Sequence, residues 1–285
     1  MIPGRFEYHQ PETLPSAVSL LSDLGEDARV IAGGHSLIPM MKLRLAMPEH
    51  LIDLRAIESL RHITVADGQV RIGAMTTQAE IIESAALHQA APIMRETSLQ
   101  IADPQVRYAG TIGGNVANGD PGNDMPALMQ CLNASFSLSG PSGEREVAAR
   151  DFYEAAYFTA RDDLEILTEI SFAASAAGYA YEKQKRKIGD YATAAAAVLL
   201  SQGADGGCDQ ASIALTNLAD TPIYCEAACE QLQQAGVNEA SVAAAVQSAI
   251  AQIEPVDDNR GPAEFKKHAA AVILKRAINV AWSRS

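Results

Sequence analysis

Two glycine-rich segments of the chain combine residue types that could hold an anionic ligand. They are the first loop, Ala32-Gly33-Gly34-His35-Ser36-Leu37, and the second loop, Gly110-Thr111-Ile112-Gly113-Gly114-Asn115. Because glycine has no Cβ, it permits positive φ and close approach to the backbone, and successive bare N–H groups can form a concave nest for an anion. Two nests on one domain suit a ligand with two phosphates. The loops therefore predict a pyrophosphate held between them.

A second interpretation of the same glycines stays open. A Gly-Gly pair is also typical of an ordinary turn. Neither loop matches the G-x-G-x-x-G pattern that opens a helix in dinucleotide-binding folds, nor the G-x-x-x-x-G-K-[ST] phosphate loop. The glycine pairs therefore need support from the rest of the chain before they indicate a cofactor.

Other polar residues offer competing chemistry. Ser36 follows His35, but adjacent residues rarely form a nucleophile and its base, and the chain has no G-x-S-x-G elbow. Asp120 and Asp124 could bind a metal ion, although Asp120 also suits a turn and Asp124 could instead accept hydrogen bonds from ligand hydroxyls. The basic stretch 183–187 is either a solvated face or the source of a lysine that reaches a ligand.

The cysteines do not indicate a metal centre. They are Cys131, Cys208, Cys225 and Cys229, without the C-x₂-C clustering of an iron–sulfur or zinc site. Cys225 and Cys229 lie four residues apart in a predicted helix, where a thiol packs as a small apolar side chain. We therefore expect no metal bound by this chain.

Composition narrows the class of protein. With 285 residues the chain is long enough for two domains, and 48% hydrophobic against 20% charged residues is an ordinary globular balance. A net charge of -13 argues against a nucleic-acid binder, which needs a basic surface. No apolar run reaches the length of about 18 residues that a membrane span requires. The first residues lack the pattern of a signal segment, so the expected location is the cytoplasm.

The predicted elements place both loops after regular structure. Thr13 can cap a helix over 13–24, and a strand over 29–31 delivers the first loop. A strand is expected over 51–54, a hairpin over 62–73 turning at Asp67-Gly68, and a helix from the capping box at 77–80. A further helix over 92–101 leads towards the second loop.

The pattern changes past the second loop. A helix is predicted over 126–132, a hairpin over 135–147 and a strand over 164–172, followed by a featureless stretch of small residues at 173–178. That stretch marks a domain boundary. Beyond it, alanine-rich 192–200 fits either strand or helix. A strand is expected over 213–218, with helices over 222–235, 238–253 and 263–282.

Several of these motifs together carry a resemblance that covers the whole chain. The first loop continues into Pro39-Met40-Met41-Lys42-Leu43-Arg44, and Asp103-Pro104-Gln105-Val106-Arg107 precedes the second. The stretches 181–194 and 258–265 extend the match. These motifs resemble the flavin subunits of molybdenum hydroxylases, and most closely the medium subunits of aerobic carbon monoxide dehydrogenases. Some relatives carry His where this chain has Asn118, so no proton-handling role is expected there.

The resemblance implies an α+β architecture. Residues 1–177 would form an FAD-binding domain of the vanillyl-alcohol-oxidase/p-cresol methylhydroxylase type, with subdomains of about 1–55 and 56–177. Residues 178–285 would form a smaller C-terminal α+β domain that closes over the flavin.

By the same resemblance, the cofactor is FAD and both loops bind its pyrophosphate. Asp124 would face the ribityl chain, and Ile101 and Leu167 would line the cofactor. Tyr191 would stack near the isoalloxazine. Lys183 would approach the flavin edge. Lys185 and Lys187 are so near in the sequence that either could match the same position of the family instead.

The resemblance also implies the role. The chain would be the FAD subunit of a three-component enzyme, assembled as a dimer of heterotrimers with a large molybdenum subunit and a small [2Fe–2S] subunit. Electrons from the clusters would pass through FAD to an external acceptor, quinone or NAD. The alternatives are a stand-alone FAD oxidoreductase on the same fold and a non-enzymatic binding protein. The substrate oxidised at molybdenum stays open among carbon monoxide, an aldehyde and an N-heterocycle.

Overall fold

A computed structural model describes residues 2–285, which form three main β-sheets with helices packed around them. The N-terminal region contains a parallel sheet in the order β1-β3-β2. Its elements are β1 (Glu7–His9), α1 (Leu14–Leu24), β2 (Ala28–Ile31), α2 (Leu37–Lys42) and β3 (His50–Asp53). Short 3₁₀ turns follow α1 and β3.

Helix α1 and strand β2 form as their sequences predict. The Thr13 side chain accepts a hydrogen bond from the Ser16 amide, which caps the helix, and Gly25 ends it at φ +55°. Ala17 and Leu21 are buried against the parallel sheet. Strand β2 then delivers the first loop at the carboxyl end of that sheet.

The middle region contains a five-stranded antiparallel sheet in the order β4-β5-β10-β6-β7. The elements before the second loop are β4 (Ile63–Ala66), β5 (Gln69–Gly73), α3 (Gln78–Glu83), α4 (Ala85–Ala90), α5 (Pro92–Ser98) and α6 (Pro104–Ala109). The elements from the second loop onward are α7 (Ile112–Ala117), α8 (Asp124–Cys131), β6 (Ser135–Gly140), β7 (Gly143–Ala148), the small hairpin of β8 (Tyr153–Ala155) and β9 (Phe158–Thr159), and β10 (Ile166–Ala173).

The C-terminal region contains a four-stranded antiparallel sheet in the order β11-β12-β13-β14. The elements are β11 (Gly178–Gln184), β12 (Ala194–Gln202), β13 (Cys208–Thr216), β14 (Ile223–Tyr224), α9 (Glu226–Ala235), α10 (Glu239–Ile250) and α11 (Ala263–Ser283). Mixed helix and strand in all three regions confirms the α+β fold class.

The alanine-rich segment is the strand β12, which settles the choice that its sequence pattern left open. Ala195 and Ala197 face the core of the middle region, whereas Ala194 and Ala196 face the core formed with α9, α10 and α11. All four are fully buried. Small side chains on both faces let helices pack closely on either side of the strand, so the middle and C-terminal regions share a continuous interior.

The surroundings of the second loop differ from the prediction. The predicted helix over 92–101 ends at Ser98, and the short helix α6 intervenes before the loop. Residues Ile112–Ala117 are themselves helical, with Thr111 as the N-cap. The glycine pair was predicted as loop because glycine disfavours helix interiors, yet here capping and tertiary hydrogen bonds hold it in a helical turn.

Candidate functional site

A cavity of about 490 Å³ lies where the three regions meet. It collects predicted site residues from both loops, from the middle sheet and from the C-terminal sheet. Those that line it are Ala32, Gly33, Gly34, His35, Ser36, Leu37, Ile101, Gly110, Thr111, Gly113, Gly114, Asn115, Asp124, Leu167, Lys183 and Tyr191. Ile112 is the exception: its side chain is fully buried in the hydrophobic core, so its prediction as a lining residue is corrected.

The first loop has unpaired backbone donors in residues that line the cavity. Within residues 2–285, the amides of Gly33, Gly34, His35 and Ser36 have no hydrogen-bond acceptor. Gly34 adopts φ +75°, a conformation that favours glycine. Successive free N–H groups around a positive-φ residue form the kind of concavity that binds an anion, so the first loop fits the predicted nest.

Gly33 is required for a different reason from the one its sequence suggested. A Cβ there would lie against the carbonyl oxygen of Ala109 and 2.7 Å from the Cα of Gly110. Its absence lets the backbones of the two loops touch. The space that this glycine leaves is filled by protein rather than left open for a ligand.

The second loop has little free donor capacity, which corrects the prediction of a second nest. The amide of Ile112 donates to the Thr76 carbonyl and that of Gly113 to the Ala74 carbonyl, both at 2.9 Å. The Gly114 amide donates to Thr111 Oγ1 at 3.1 Å, and the Asn115 amide to the Thr111 carbonyl. The loop is a capped helix start in which the amides from Ile112 to Asn115 are already satisfied.

The second loop instead positions side chains at the cavity wall. Asn115 Oδ1 accepts from the Met125 amide at 3.3 Å, and the Asn115 carbonyl accepts from Asn123 Nδ2 at 2.9 Å. These two bonds hold the start of α8 against the loop. Asp124, the first residue of α8, is thereby fixed beside the cavity.

Asp124 forms a buried ion pair with Lys183. Lys183 Nζ lies 2.8 Å from Asp124 Oδ2 and also donates to the Gln100 carbonyl at 3.2 Å, and Tyr181 Oη donates to Asp124 Oδ1 at 2.5 Å. The exposed fractions of the Lys183 and Asp124 side chains are only 1% and 6%. This cluster links α8 to β11 and thus joins the middle region to the C-terminal sheet.

Burial and charge act in opposite directions on this cluster. Burial raises the pKa of the Asp124 carboxyl, and the adjacent Lys183 ammonium counteracts that rise. Burial and the neighbouring Asp124 raise the pKa of Tyr181 well above its ordinary value, so the phenol remains a proton donor to the carboxylate. The carboxylate and the ammonium neutralise each other, so the cavity wall carries little net charge at this point.

Of the three lysines that the sequence could not separate, Lys183 lines the cavity. Lys185 and Lys187 do not contribute to its wall. Lys185 Nζ donates to Gln100 Oε1 at 2.7 Å, outside the cavity. The end of β11 at Gln184 explains the selection, because Lys183 belongs to the strand, whereas Lys185 and Lys187 lie beyond it.

Tyr191 lies between the main cavity and a second cavity of about 450 Å³. Its side chain is part-exposed and packs against Gly122, and the Arg260 guanidinium lies 5.3 Å from the centre of its ring. The Asp190 carboxylate accepts from the Tyr191 amide at 3.0 Å and is paired with Arg186. The aromatic ring is therefore held at the boundary of the two cavities by a charged loop.

Gln78 is a cavity residue that the sequence prediction missed. It is buried, its Oε1 accepts from Ser98 Oγ at 3.0 Å, and its Nε2 has no acceptor within the described part of the chain. A buried unpaired donor in a cavity wall is expected where a ligand supplies the acceptor. In the sequence Gln78 is only the residue after the capping threonine, and no pattern marks it. The wall also includes Arg29, Asn118, Asn123, Arg161, Asp163 and Glu165, which were not predicted.

Comparison with known proteins assigns the family. The profile described as "FAD binding domain in molybdopterin dehydrogenase" matches residues 4–173, and the profile "CO dehydrogenase flavoprotein C-terminal domain" matches residues 179–281. The chain belongs to this family of FAD-binding flavoproteins. It is accordingly a flavoprotein oxidoreductase subunit, and FAD is its cofactor.

Individual relatives match over the full length. The carbon monoxide dehydrogenase medium chain of Afipia carboxidovorans is 56% identical, covering 100% of this chain and 99% of the relative. A chain in the crystal structure of the cyanide-inactivated Cu,Mo-CO dehydrogenase superposes with a TM-score of 0.98 at 56% identity, with full coverage of both. A chain of quinoline 2-oxidoreductase from Pseudomonas putida 86 gives 0.95 at 32% identity, covering 99% of each.

The residues of the cavity fit FAD. The four free amides of the first loop suit the pyrophosphate, and the unpaired Gln78 donor suits a polar group of the cofactor. No helix in the described part of the chain is both long and apolar enough to cross a membrane.

Proposed function

We propose that this chain is the electron-transferring FAD subunit of a heterotrimeric molybdenum hydroxylase. It would receive electrons from [2Fe–2S] clusters on a small partner subunit and pass them to an external acceptor, quinone or NAD. A large partner subunit would hold the molybdenum cofactor and oxidise the substrate. The observation that carries this proposal is a single cavity, built from all three regions of a chain that matches carbon monoxide dehydrogenase medium subunits end to end.

Each group of cavity residues then has a role in holding FAD, which supplies one- and two-electron transfer when bound. The free amides of the first loop bind the pyrophosphate, while the second loop packs against the first and orients Asn115 and Asp124. Asp124 accepts hydrogen bonds from cofactor hydroxyls, with Lys183 neutralising its charge. Tyr191 covers one face of the flavin ring and separates it from the second cavity.

The division of the chain follows from the same roles. We propose an FAD-binding domain over residues 1–177, with subdomains of about 1–55 and 56–177, and a C-terminal domain over 178–285. The sheets support this division, because each proposed unit contains one of the three main sheets. Lys183 and Tyr191 are then the contributions of the C-terminal domain to the cofactor.

The proposed function needs partner chains, and we propose that they assemble with this chain as a dimer of heterotrimers. The four cysteines of this chain lie at 131, 208, 225 and 229, and their spacing does not suit a [2Fe–2S] cluster. The clusters and the molybdenum site would therefore belong to other chains. The relatives named above are carbon monoxide dehydrogenases and a quinoline 2-oxidoreductase, so a flavin subunit of this family does not by itself fix the substrate, and carbon monoxide, an aldehyde and an N-heterocycle stay open.

Flavin reduction tests whether the partners are required. The purified chain, loaded with FAD, is mixed anaerobically with carbon monoxide, an aldehyde or an N-heterocycle while the visible absorbance of the flavin is followed. We expect no bleaching by any of them, and full bleaching by dithionite as the control. Adding the co-expressed large and small subunits should make one substrate effective.

A different result would favour the alternative. If the isolated chain were reduced by a substrate as fast as the assembled complex turns over, the chain would be a stand-alone FAD oxidoreductase of the same fold. Isolation of the native chain without any partner subunit would also favour this alternative.

A further inference from the structure

Two histidines and a glutamate lie together at the edge of the N-terminal sheet. Glu7 and His9 are two residues apart on β1, so their side chains leave the same face of the strand. His50 begins β3 and is the register partner of Glu7 in the parallel ladder. Backbone pairing thus brings together three side chains of the types that bind metal ions. None of them lines the FAD cavity or the second cavity.

The distances among their ligand atoms are close to those of a coordination sphere. His9 Nε2 lies 3.1 Å from His50 Nδ1, and Glu7 Oε2 lies 3.5 Å from the same nitrogen. All three ligand atoms lie within 4.8 Å of one another. In tetrahedral zinc sites with bonds of about 2.0–2.1 Å, neighbouring ligand atoms are about 3.3 to 3.4 Å apart. Small side-chain rotations would therefore bring the three onto one ion.

Hydrogen bonding within the cluster does not satisfy all three groups. Both His9 Nε2 and Glu7 Oε2 converge on His50 Nδ1. A ring nitrogen either carries one hydrogen or offers one lone pair. If it donates to Glu7 it cannot accept from His9, and if it accepts from His9 it faces the lone pairs of the carboxylate. A cation between the three atoms accepts a lone pair from each of them.

We propose that Glu7, His9 and His50 bind a divalent transition-metal ion, with zinc as the physiological candidate. Two imidazole nitrogens and one carboxylate oxygen suit zinc, with water in the fourth position. The Glu7 side chain is 74% exposed and that of His50 is 19% exposed, so an ion can enter from solvent without movement of the backbone.

The ion would connect the edge strand β1 to its neighbour β3. β1 has three residues and, in the part of the chain that the structure describes, pairs with β3 alone. β3 also pairs with β2, which leads into the first loop. A ligand that binds only the folded chain stabilises it by mass action. Zinc is therefore a stabiliser of the N-terminal sheet rather than a participant in flavin chemistry.

Zinc titration of the FAD-loaded full-length chain tests the site. After chelator treatment and its removal, calorimetry should show one zinc ion per chain, and zinc should raise the melting temperature. His50→Ala and His9→Ala should each weaken binding at least about tenfold, because loss of even an outer-shell partner costs about 10- to 100-fold. Cobalt in place of zinc should give the intense visible bands of a tetrahedral site.

Matched variants separate this site from other effects. His88→Ala removes an exposed histidine elsewhere and should bind zinc like the wild type. Glu7→Gln changes a mostly exposed side chain, should fold normally, and should still weaken binding. Equal zinc affinity in the wild type and in Glu7→Gln and His50→Ala would overturn the proposal, as would the absence of zinc binding to the wild type.

Discussion

The two glycine loops look alike in sequence and differ in what their backbones offer. Each contains a Gly-Gly pair next to polar side chains. In the first loop four consecutive amides are free within the described residues, whereas in the second the amides from Ile112 to Asn115 are all bonded within the protein. The first loop is thus a donor surface, and the second is a folded support that holds Asn115 and Asp124.

The difference teaches that a glycine can be needed for two unrelated reasons. A Cβ on Gly113 would lie 2.5 Å from the Cβ of Ala74, so this glycine permits helix α7 to pack against the end of β5. Gly34 is needed for its positive φ. Substitution of Gly113 should therefore change the free energy of unfolding, and substitution of Gly34 should mainly change the affinity for FAD.

The largest loss of stability is expected from breaking the ion pair of Asp124, the residue that the second loop holds in place. Lys183→Met should lower the free energy of unfolding of the FAD-free protein by about 3–5 kcal/mol, because the buried Asp124 carboxylate loses its cation. Urea unfolding measures this loss. Lys185→Met is the matched control and should cost far less, because within residues 2–285 the Lys185 ammonium hydrogen-bonds only to Gln100.

The stability that Lys183→Met loses should depend on pH. Burial raises the folded pKa of Asp124, and removal of Lys183 takes away the interaction that opposes this rise. A group whose folded pKa lies above its unfolded value favours the folded state at low pH, and this contribution is lost as the pH rises through the folded pKa. The deficit of Lys183→Met should therefore be smaller near about pH 4 than near about pH 8. A deficit independent of pH would show that the carboxylate is not left charged and unpaired.

Gly113→Ala should have the next largest effect on stability. The added methyl must displace Ala74, and overpacking of this kind costs about 1–3 kcal/mol. The free energy of unfolding of the FAD-free protein is measured by urea titration. Gly4→Ala is the control, because its new methyl would meet only the flexible end of the Arg44 side chain. If Gly113→Ala folded with wild-type stability but lost FAD, the second loop would be a ligand surface after all.

Gly34→Ala tests whether the first loop, unlike the second, offers its backbone amides to the cofactor. An alanine at φ +75° costs about 1–2 kcal/mol, and relaxation of the backbone to negative φ would turn amides away from the cavity. We expect FAD affinity to fall at least about tenfold, since hydrogen bonds to a charged group contribute about 1.5–3 kcal/mol each. Fluorescence titration with FAD measures the affinity. Unchanged affinity would remove the first loop from the pyrophosphate site.

Gln78→Met is expected to have the smallest effect on folding. It removes a buried Nε2 that has no acceptor in the described chain, although it also leaves Ser98 Oγ without its own acceptor. The stability of the FAD-free protein should change by less than about 1 kcal/mol. FAD affinity should decrease, because the donor would no longer meet the cofactor. A variant with full FAD affinity would show that Gln78 does not contact it.

Local patterns were enough to predict many of the elements. The Thr13 cap, the Asp67-Gly68 hairpin turn, and the Thr77/Glu80 capping box are confirmed, because each depends on residues a few positions apart. The short helix α7 was missed for the opposite reason. Its glycines disfavour helix on their own, and the bonds that hold it come from Thr76 and Ala74, more than thirty residues away.

The sequence by itself determined the family, the α+β class, the cofactor and many of the residues around the cavity. These properties depend on contiguous motifs and on the alternation of side chains, and both can be seen in the sequence without the structure. Only the tertiary structure decided which loop has free amides, which lysine reaches the cavity, and that Ile112 turns into the core. Those outcomes depend on which groups are already paired by distant parts of the chain, and pairing is set by packing in three dimensions rather than by residue type.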